Sequence, residues 1–218
     1  MFVTEAAVVR DADVLRTAAA NDIPVVVVTD RVAATLSETV TPQGVFAVVR
    51  PAPLDADSVL AGARLVAVLD RVNDPGNAGT AIRTADAAGA DAVILTQGSV
   101  DPHNGKCIRA SAGSVFAVPI LSGLAPAAAL ELAGGGGART TIATTVDAED
   151  DLDALVDAGA LAGPTSWVFG SEAHGLDPAV AAAADRRVRI PMYGSAESLN
   201  LATSVAVCLY ASARAHRR

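Results

Sequence analysis

Hydrophobic residues recur along the chain in short runs separated by alanine-rich stretches of helical length, and this alternation is clearest after residue 63. Valine- and leucine-rich runs at 65–69 and 92–96 flank an alanine-rich stretch at 78–88. A strand, a helix and a second strand in this order are typical of a βαβ unit, in which the crossover helix makes the two strands parallel. The pattern therefore predicts an α/β domain built on a parallel sheet.

The same alternation continues to the end of the chain. It predicts further strands at 115–120, 140–144, 166–169 and 188–192, and further helices at 126–132, from 178 onward, and at 199–214. The run of glycines at 134–137 predicts a flexible loop between a helix and a strand.

The leading residues have a weaker pattern, with predicted strands at 25–28 and 46–49 and a short helix at 31–36. Prolines and acids follow them. We therefore divide the chain into a leading domain at 1–50, a linker at 51–62 and a main domain at 63–218.

Composition narrows the class of protein. Hydrophobic residues make up 51% of the 218 residues but aromatic residues only 3%, which favours close-packed helices on valine-rich strands over an aromatic-lined pocket. No apolar stretch approaches the roughly 18 to 20 residues of a membrane helix, and the first residues lack a basic segment followed by an apolar one. We expect a soluble cytoplasmic protein with no membrane partner.

The metal-binding residue types show no ligand spacing. Cys107 and Cys208 form no CxxC motif, and Cys208 falls in the apolar pattern of the last helix, so packed thiols are expected rather than a disulfide. His103, His174 and His216 are scattered. No metal site is predicted.

The net charge of −8 argues, as an average, against a nucleic-acid partner, because phosphate contacts come from lysine and arginine. The charge is segregated, however. Six acids lie within 147–157, whereas arginines cluster at 186–189 and again at 214–218. A basic patch is thus compatible with the acidic average.

Three segments carry candidate chemistry at the ends of predicted strands, where α/β sheets bind their ligands. The first spans 70–83. In it Asn77 is expected to cap the following helix, Gly76 and Gly79 allow close backbone approach, and Arg83 falls in the second turn. Taken alone, this segment fits an ordinary capped helix with a surface arginine better than a ligand site, since a Gly-x-x-Gly turn is a weak signal.

The second segment, at 168–176, is a hydrophobic strand entering a glycine-rich turn that carries Glu172. It fits either a cofactor site or a tight loop with a solvated carboxylate. The third, at 190–201, is a strand, a polar loop and a helix for which Ser198 is a natural N-cap. Capping alone would explain both Ser198 and Asn200.

In this order and at these spacings, the segments resemble the three signature motifs of the SpoU (TrmH-like) RNA 2′-O-ribose methyltransferases of the SPOUT superfamily. The matching patterns are Asn-x-x-Gly-Asn-x-Gly-x-x-x-Arg at 73–83, Phe-Gly-Ser-Glu-x-x-Gly-Leu at 169–176, and Ile-Pro-Met with Ser-Leu-Asn at 190–200. The resemblance covers 64–214 and includes the family's intermediate segment at 102–119.

The resemblance implies a fold and an assembly. The parallel α/β sheet is expected to contain a deep trefoil knot, and the protein to be a homodimer whose motif-one loop meets the cofactor pocket near the subunit interface. The leading domain resembles the latter part of an L30e-like RNA-binding domain, either truncated or reduced.

The resemblance also implies a function: methyl transfer from S-adenosylmethionine to a ribose 2′-hydroxyl in structured RNA, ribosomal or transfer. Arg83 is expected to act as a cationic clamp, because guanidinium is not deprotonated in proteins. The residues implied by the motifs are Asn77, Glu172, Ser198 and Asn200 for orientation; Phe169, Gly170, Ile190, Met192, Ser198 and Leu199 for the cofactor; and Lys106 and Arg109, with Arg83, for RNA.

Two other readings stay open at this point. A non-catalytic RNA-binding or ribosome-assembly protein that retains the fold is favoured by the short leading domain, although the intact motif residues argue against it. A small-molecule enzyme that binds a nucleotide on a doubly wound sheet lacks the phosphate-binding fingerprints of that class. The acidic balance predicts salt-sensitive RNA binding or a ribonucleoprotein substrate.

Overall fold

The computed structural model describes residues 1–171 and 173–217. The chain divides into two compact units, Met1–Pro53 and Leu54–Arg218.

The smaller unit is a three-stranded sheet with three short helices. Its elements are β1 (Phe2–Thr4), α1 (Glu5–Arg10), α2 (Ala12–Ala20), β2 (Val26–Val28), α3 (Asp30–Leu36) and β3 (Val45–Phe46). Strand β1 lies in the middle, parallel to β2 and antiparallel to β3. The predictions at 25–28 and 31–36 correspond to β2 and α3, whereas β1, α1 and α2 were not predicted. A strand of three residues such as β1 is too short to show alternation.

The larger unit contains a seven-stranded sheet in the order β6-β5-β4-β9-β7-β10-β8, in which every recorded strand pair is parallel. Its strands are β4 (Leu65–Leu69), β5 (Ala92–Thr96), β6 (Ile120–Leu124), β7 (Thr140–Thr144), β8 (Asp150–Asp151), β9 (Thr165–Phe169) and β10 (Arg186–Arg189). The predicted parallel α/β sheet is confirmed.

Helices cover both faces of this sheet. They are α4 (Ala56–Leu60), α5 (Pro75–Ala88), α6 (Gly105–Ser111), α7 (Pro126–Gly134), α8 (Leu152–Asp157), α9 (Pro178–Ala183) and α10 (Leu201–His216). Along β4, Leu65, Ala67 and Leu69 face one core with α5 and α10, whereas Val66 and Val68 face a second core with α4 and α7. This period of two buries every residue of β4, as expected for a central parallel strand.

Several predicted elements are corrected by the structure. Ser114–Phe116 forms a 3₁₀ turn directly after α6 and Gly113, whose φ is 98°, so the strand predicted at 115–120 begins only at Ile120. The glycine run lies between α7 and β7, as predicted, and Gly135, Gly136 and Gly137 all have a positive φ, which favours glycine. Within the segment predicted as a linker, residues 56–60 form α4, whose last residue is buried.

No helix among residues 1–171 and 173–217 combines the length and the apolar character needed to cross a membrane.

Candidate active site

The three motif segments all leave the sheet at the carboxyl ends of strands. Motif one (70–83) follows β4, motif two (169–176) overlaps the end of β9, and motif three (190–200) follows β10. Because β4 and β9 are neighbours, Leu69 pairs with Phe169, and the Asp70 amide donates to the Phe169 carbonyl at 2.8 Å. Motifs one and two therefore begin side by side.

Motif one begins its helix earlier than predicted. Asp74, not Asn77, is the N-cap of α5, since its carboxylate accepts the Asn77 amide at 2.7 Å and Pro75 occupies the first helical position. That hydrogen bond is the main cause that lowers the pKa of Asp74. Desolvation acts in the opposite direction, and the hydrogen bond and charge of Lys106 lower the pKa further. The earlier start places Arg83 in the third turn instead of the second.

A close helix contact joins motif one to the intermediate segment. A Cβ on Gly79 would lie 2.4 Å from the Cys107 carbonyl oxygen, so only glycine fits where α5 crosses α6. The Lys106 ammonium approaches the Asp74 carboxylate at 3.4 Å across this contact. Basic side chains predicted to bind RNA are thus carried on two packed helices.

The predicted clamp, Arg83, is exposed on α5. Among the described residues it has no hydrogen-bond or ion-pair partner, and its guanidinium is available to a ligand. Lys106 and Arg109, on α6, are exposed as well.

Motif two forms a tight turn. The Gly175 amide donates to the Ser171 carbonyl at 2.8 Å, and a Cβ on Gly170 would lie 2.1 Å from the Gly175 carbonyl carbon. Phe169 is fully buried and stacks on Trp167 with ring centroids 6.4 Å apart, so its side chain belongs to the core. Glu172, a predicted orienting residue, lies outside the described residues.

Motif three borders a cavity of about 270 Å³ beside the end of β7. Four of the six predicted cofactor residues line it: Ile190, Met192, Ser198 and Leu199. Phe169 and Gly170 are not among the described residues that line it.

Sequence reasoning missed the other side of this cavity. Thr144, Thr145 and Val146, at the carboxyl end of β7, form that side, and Arg189, Glu197 and Ser204 complete the lining. The Thr145 hydroxyl is buried and has no hydrogen-bond partner in the described part of the chain. Such an atom is normally satisfied by a ligand or a water. The rule that ligands bind at the carboxyl ends of parallel strands points to these residues.

Ser198 lines the cavity and does not cap the last helix. Asn200 is the N-cap of α10: its side-chain oxygen accepts the Ala202 amide at 2.8 Å. Its side-chain amide donates to the Asn77 side-chain oxygen at 3.0 Å. Two predicted orienting residues, 123 positions apart, are therefore in direct contact.

The predicted segregation of charge holds along the sequence but not in space. Strand β10 pairs with β8, so Arg186 lies 3.9 Å from Asp150 and Arg189 lies 3.5 Å from Asp151. The acidic segment neutralises part of the basic cluster, because the parallel register brings the two stretches together.

Both cysteines are buried and reduced, as predicted. Burial, and secondarily the charge of Asp101, raises the pKa of Cys107 to about 11, and burial raises the pKa of Cys208. Residues 1–171 and 173–217 contain no group of three or more His, Cys, Asp and Glu side chains that could hold a metal ion.

Comparison with known proteins matches both units. Residues 64–210 match the model of the SpoU rRNA methylase family, and residues 1–54 match the model for RNA 2′-O ribose methyltransferase substrate binding. The 23S rRNA (guanosine(2553)-2′-O)-methyltransferase RlmP of Bacillus subtilis is 37% identical over 175 residues, which are 80% of this chain and 66% of that protein. The 23S rRNA (uridine(2479)-2′-O)-methyltransferase of Streptomyces viridochromogenes is 34% identical over 79% of this chain and 61% of that protein.

Solved structures are similar over almost the whole chain. The SpoU methyltransferase AviRb of Streptomyces viridochromogenes, in complex with the cofactor AdoMet, has a TM-score of 0.83 at 27% identity and covers 98% of this chain and 81% of its own. The AdoMet-bound rRNA methyltransferase of Sinorhizobium meliloti has a TM-score of 0.79 at 29% identity, with 98% and 79% covered. The chain spans about two thirds of the length of the curated relatives it matches.

Proposed function

The chain belongs to the SpoU rRNA methylase family, and from this premise we propose that it transfers a methyl group from S-adenosylmethionine to a ribose 2′-hydroxyl of ribosomal RNA. The ribosomal substrate is proposed over transfer RNA because curated relatives at 34% and 37% identity are named as 23S rRNA enzymes.

The observation that carries the proposal is the cavity at the carboxyl ends of β7 and β10. It combines apolar side chains, which suit an adenine and a methionine chain, with a few polar groups that fix orientation. The buried, unpartnered hydroxyl of Thr145 is an atom that such a cofactor would satisfy. The residues present therefore fit S-adenosylmethionine, and Ile190, Met192, Ser198 and Leu199 would hold it.

When bound, S-adenosylmethionine supplies a methyl group already activated by its sulfonium. The chain's own residues must then place one ribose oxygen in line and stabilise it as its proton leaves. Arg83 is the group for that task, as its exposed guanidinium can hold both the developing alkoxide and the neighbouring phosphate. The proton goes to that phosphate rather than to Arg83, which stays charged.

The contact between Asn77 and Asn200 holds motif one beside motif three. It keeps the helix that carries Arg83 next to the segment that lines the cavity. Ser198 orients the ribose or the cofactor from the cavity wall.

The active enzyme is a homodimer with a trefoil knot in its sheet. Arg83 does not line the cavity and makes no hydrogen bond or ion pair with the described residues that do, which is consistent with a site completed near a subunit interface. The leading unit binds RNA, and Lys106 and Arg109 of the larger unit bind RNA phosphates.

A paired binding and transfer experiment tests the proposal. The purified protein is titrated calorimetrically with S-adenosylmethionine, and the same preparation is incubated with tritiated cofactor and unmodified ribosomal RNA, then with assembled subunits. Alkali-stable label in the ribose is the expected result. Absence of cofactor binding would refute the proposal, and RNA binding without transfer to either substrate would favour the non-catalytic alternative.

A further inference from the structure

The segment that carries the cavity residues has little regular structure of its own. Between the end of β10 at Arg189 and the start of α10 at Leu201, residues 190–200 form no helix or strand. Near its far end, Asn200 is tied to Asn77. The first half of the segment, which contains Ile190 and Met192, needs a separate restraint.

That restraint comes from the acidic segment. The Tyr193 hydroxyl donates a hydrogen bond to the carboxylate of Asp153, in the first turn of α8. This contact is the main cause that raises the pKa of Tyr193. Because the Tyr193 side chain is 85% exposed, packing does not hold it, and the hydrogen bond is its main anchor.

The contact between Tyr193 and Asp153 is the last of three successive contacts between residues 186–193 and residues 150–153. Arg186 faces Asp150, Arg189 faces Asp151, and Tyr193 faces Asp153, so the stretches run together from the edge of the sheet into the cofactor loop. The last two contacts flank Ile190 and Met192, which line the cavity with Arg189 itself.

We propose that Asp153 and Tyr193 form a clasp that positions residues 190–193 for cofactor binding, so that the acidic segment acts as an internal support of the cavity. The inference rests on the proposed function for the identity of the cofactor. Asp153 and Tyr193 are positioning residues, since neither lines the cavity. Rupture of the clasp weakens ground-state binding of the cofactor and leaves the chemical step intact.

One hydrogen bond of this kind corresponds to an effect of about threefold to tenfold on an equilibrium constant. We expect Tyr193→Phe and Asp153→Ala each to raise Kd and KM for S-adenosylmethionine by about that factor, with kcat within about twofold of wild type. The double variant is expected to be no weaker than either single one, because both remove the same bond. Asp153→Asn retains an acceptor oxygen and is expected to restore most of the affinity.

Asp157→Ala is the matched control, since it removes the same charge from the same helix at a residue with no partner among those described. Thermal unfolding of every variant is measured alongside, and a merely structural role would lower Tm without splitting KM from kcat. Equal Kd values for wild type, Tyr193→Phe and Asp157→Ala would overturn the clasp.

Backbone NMR relaxation of the free protein separates this inference from the proposed function. Without any cofactor, the amides of residues 192–195 are expected to have lower order parameters in Tyr193→Phe and Asp153→Ala than in Asp157→Ala. If the wild-type protein does not bind S-adenosylmethionine, the proposed function fails, whereas unchanged order parameters in the two clasp variants overturn the clasp itself.

Discussion

Arg139 is expected to contribute more to stability than any surface arginine of this protein. It precedes β7, is only 4% exposed, and donates to four backbone carbonyls. Its acceptors are Ala133 at 2.7 Å, Leu132 at 2.9 Å, Leu60 at 3.1 Å and Ala63 at 3.3 Å. These atoms lie at or just beyond the carboxyl ends of α7 and α4, so one side chain satisfies the terminal carbonyls of two helices.

The magnitude follows from those four contacts. A hydrogen bond to a charged group contributes about 1.5–3 kcal/mol, and a buried carbonyl left without a donor costs about 1–3 kcal/mol. Three of the four carbonyls have a second donor, so that cost falls mainly on the Ala63 carbonyl. The second donors are the Ser166 hydroxyl for Ala133, the Ala63 amide for Leu60 and the Gly135 amide for Leu132. The contributions are not additive, and a cavity of about 470 Å³ beside Arg139 lets water reach some of the carbonyls. We therefore expect Arg139→Ala to lower the free energy of unfolding by about 3–5 kcal/mol. Arg139→Lys should lower the free energy of unfolding by about half as much, because lysine has three donors on one nitrogen and cannot reach all four carbonyls.

Urea unfolding followed by circular dichroism measures the difference, with m-values compared to verify the two-state assumption. Arg187→Ala is the control: Arg187 is exposed, has no partner within the described chain, and should change the free energy of unfolding by no more than about 0.5 kcal/mol. A loss below about 1 kcal/mol for Arg139→Ala, or one equal to that of the control, would contradict the assigned capping role.

Three further outcomes are expected. Ser212→Ala removes the acceptor of the buried Trp167 indole N–H at 2.9 Å and should lower the free energy of unfolding by about 1–3 kcal/mol in urea titrations, whereas an unchanged value would mean that water replaces the hydroxyl. Arg83→Ala should reduce methyl transfer by about 100- to 1,000-fold with cofactor Kd unchanged, and lost cofactor binding would refute the clamp. Hydrogen bonds from Thr141 lower the folded-state pKa of Asp185, so the ionised carboxylate stabilises the protein at neutral pH, and this stabilisation is lost as the pH falls through that pKa. Asp185→Asn should therefore be less stable than wild type at neutral pH, and the difference in free energy of unfolding should shrink as the pH falls. A difference that does not change with pH would contradict this role of the Asp185 charge.

The strand and helix pattern after residue 63 was predictable because a central parallel strand is buried on both faces. Residues 65–69 and 92–96 read as continuous hydrophobic runs for that reason, and each run became a strand with the same bounds. The three motifs also identified the family, since glycine, proline and amide positions at fixed spacing reflect local backbone requirements that the sequence records directly.

Helix starts were less predictable, because several residues near each start can serve as the cap. Asn77 and Ser198 are chemically suitable caps, yet Asp74 and Asn200 hold those positions. Local propensity does not distinguish candidates two or three residues apart, and Pro75 was the discriminating signal at the first site.

Pairings distant in sequence were decided by tertiary structure alone. The hydrogen bond between Asn77 and Asn200, the approach of Tyr193 to Asp153, and the partnership of the basic and acidic stretches all depend on strand order and register. Sequence by itself determined the alternation of strands and helices after residue 63, the family and the residue types available for chemistry. Which of those residues share a cavity followed only from the packing of the sheet, because contact between distant segments is a property of the whole fold.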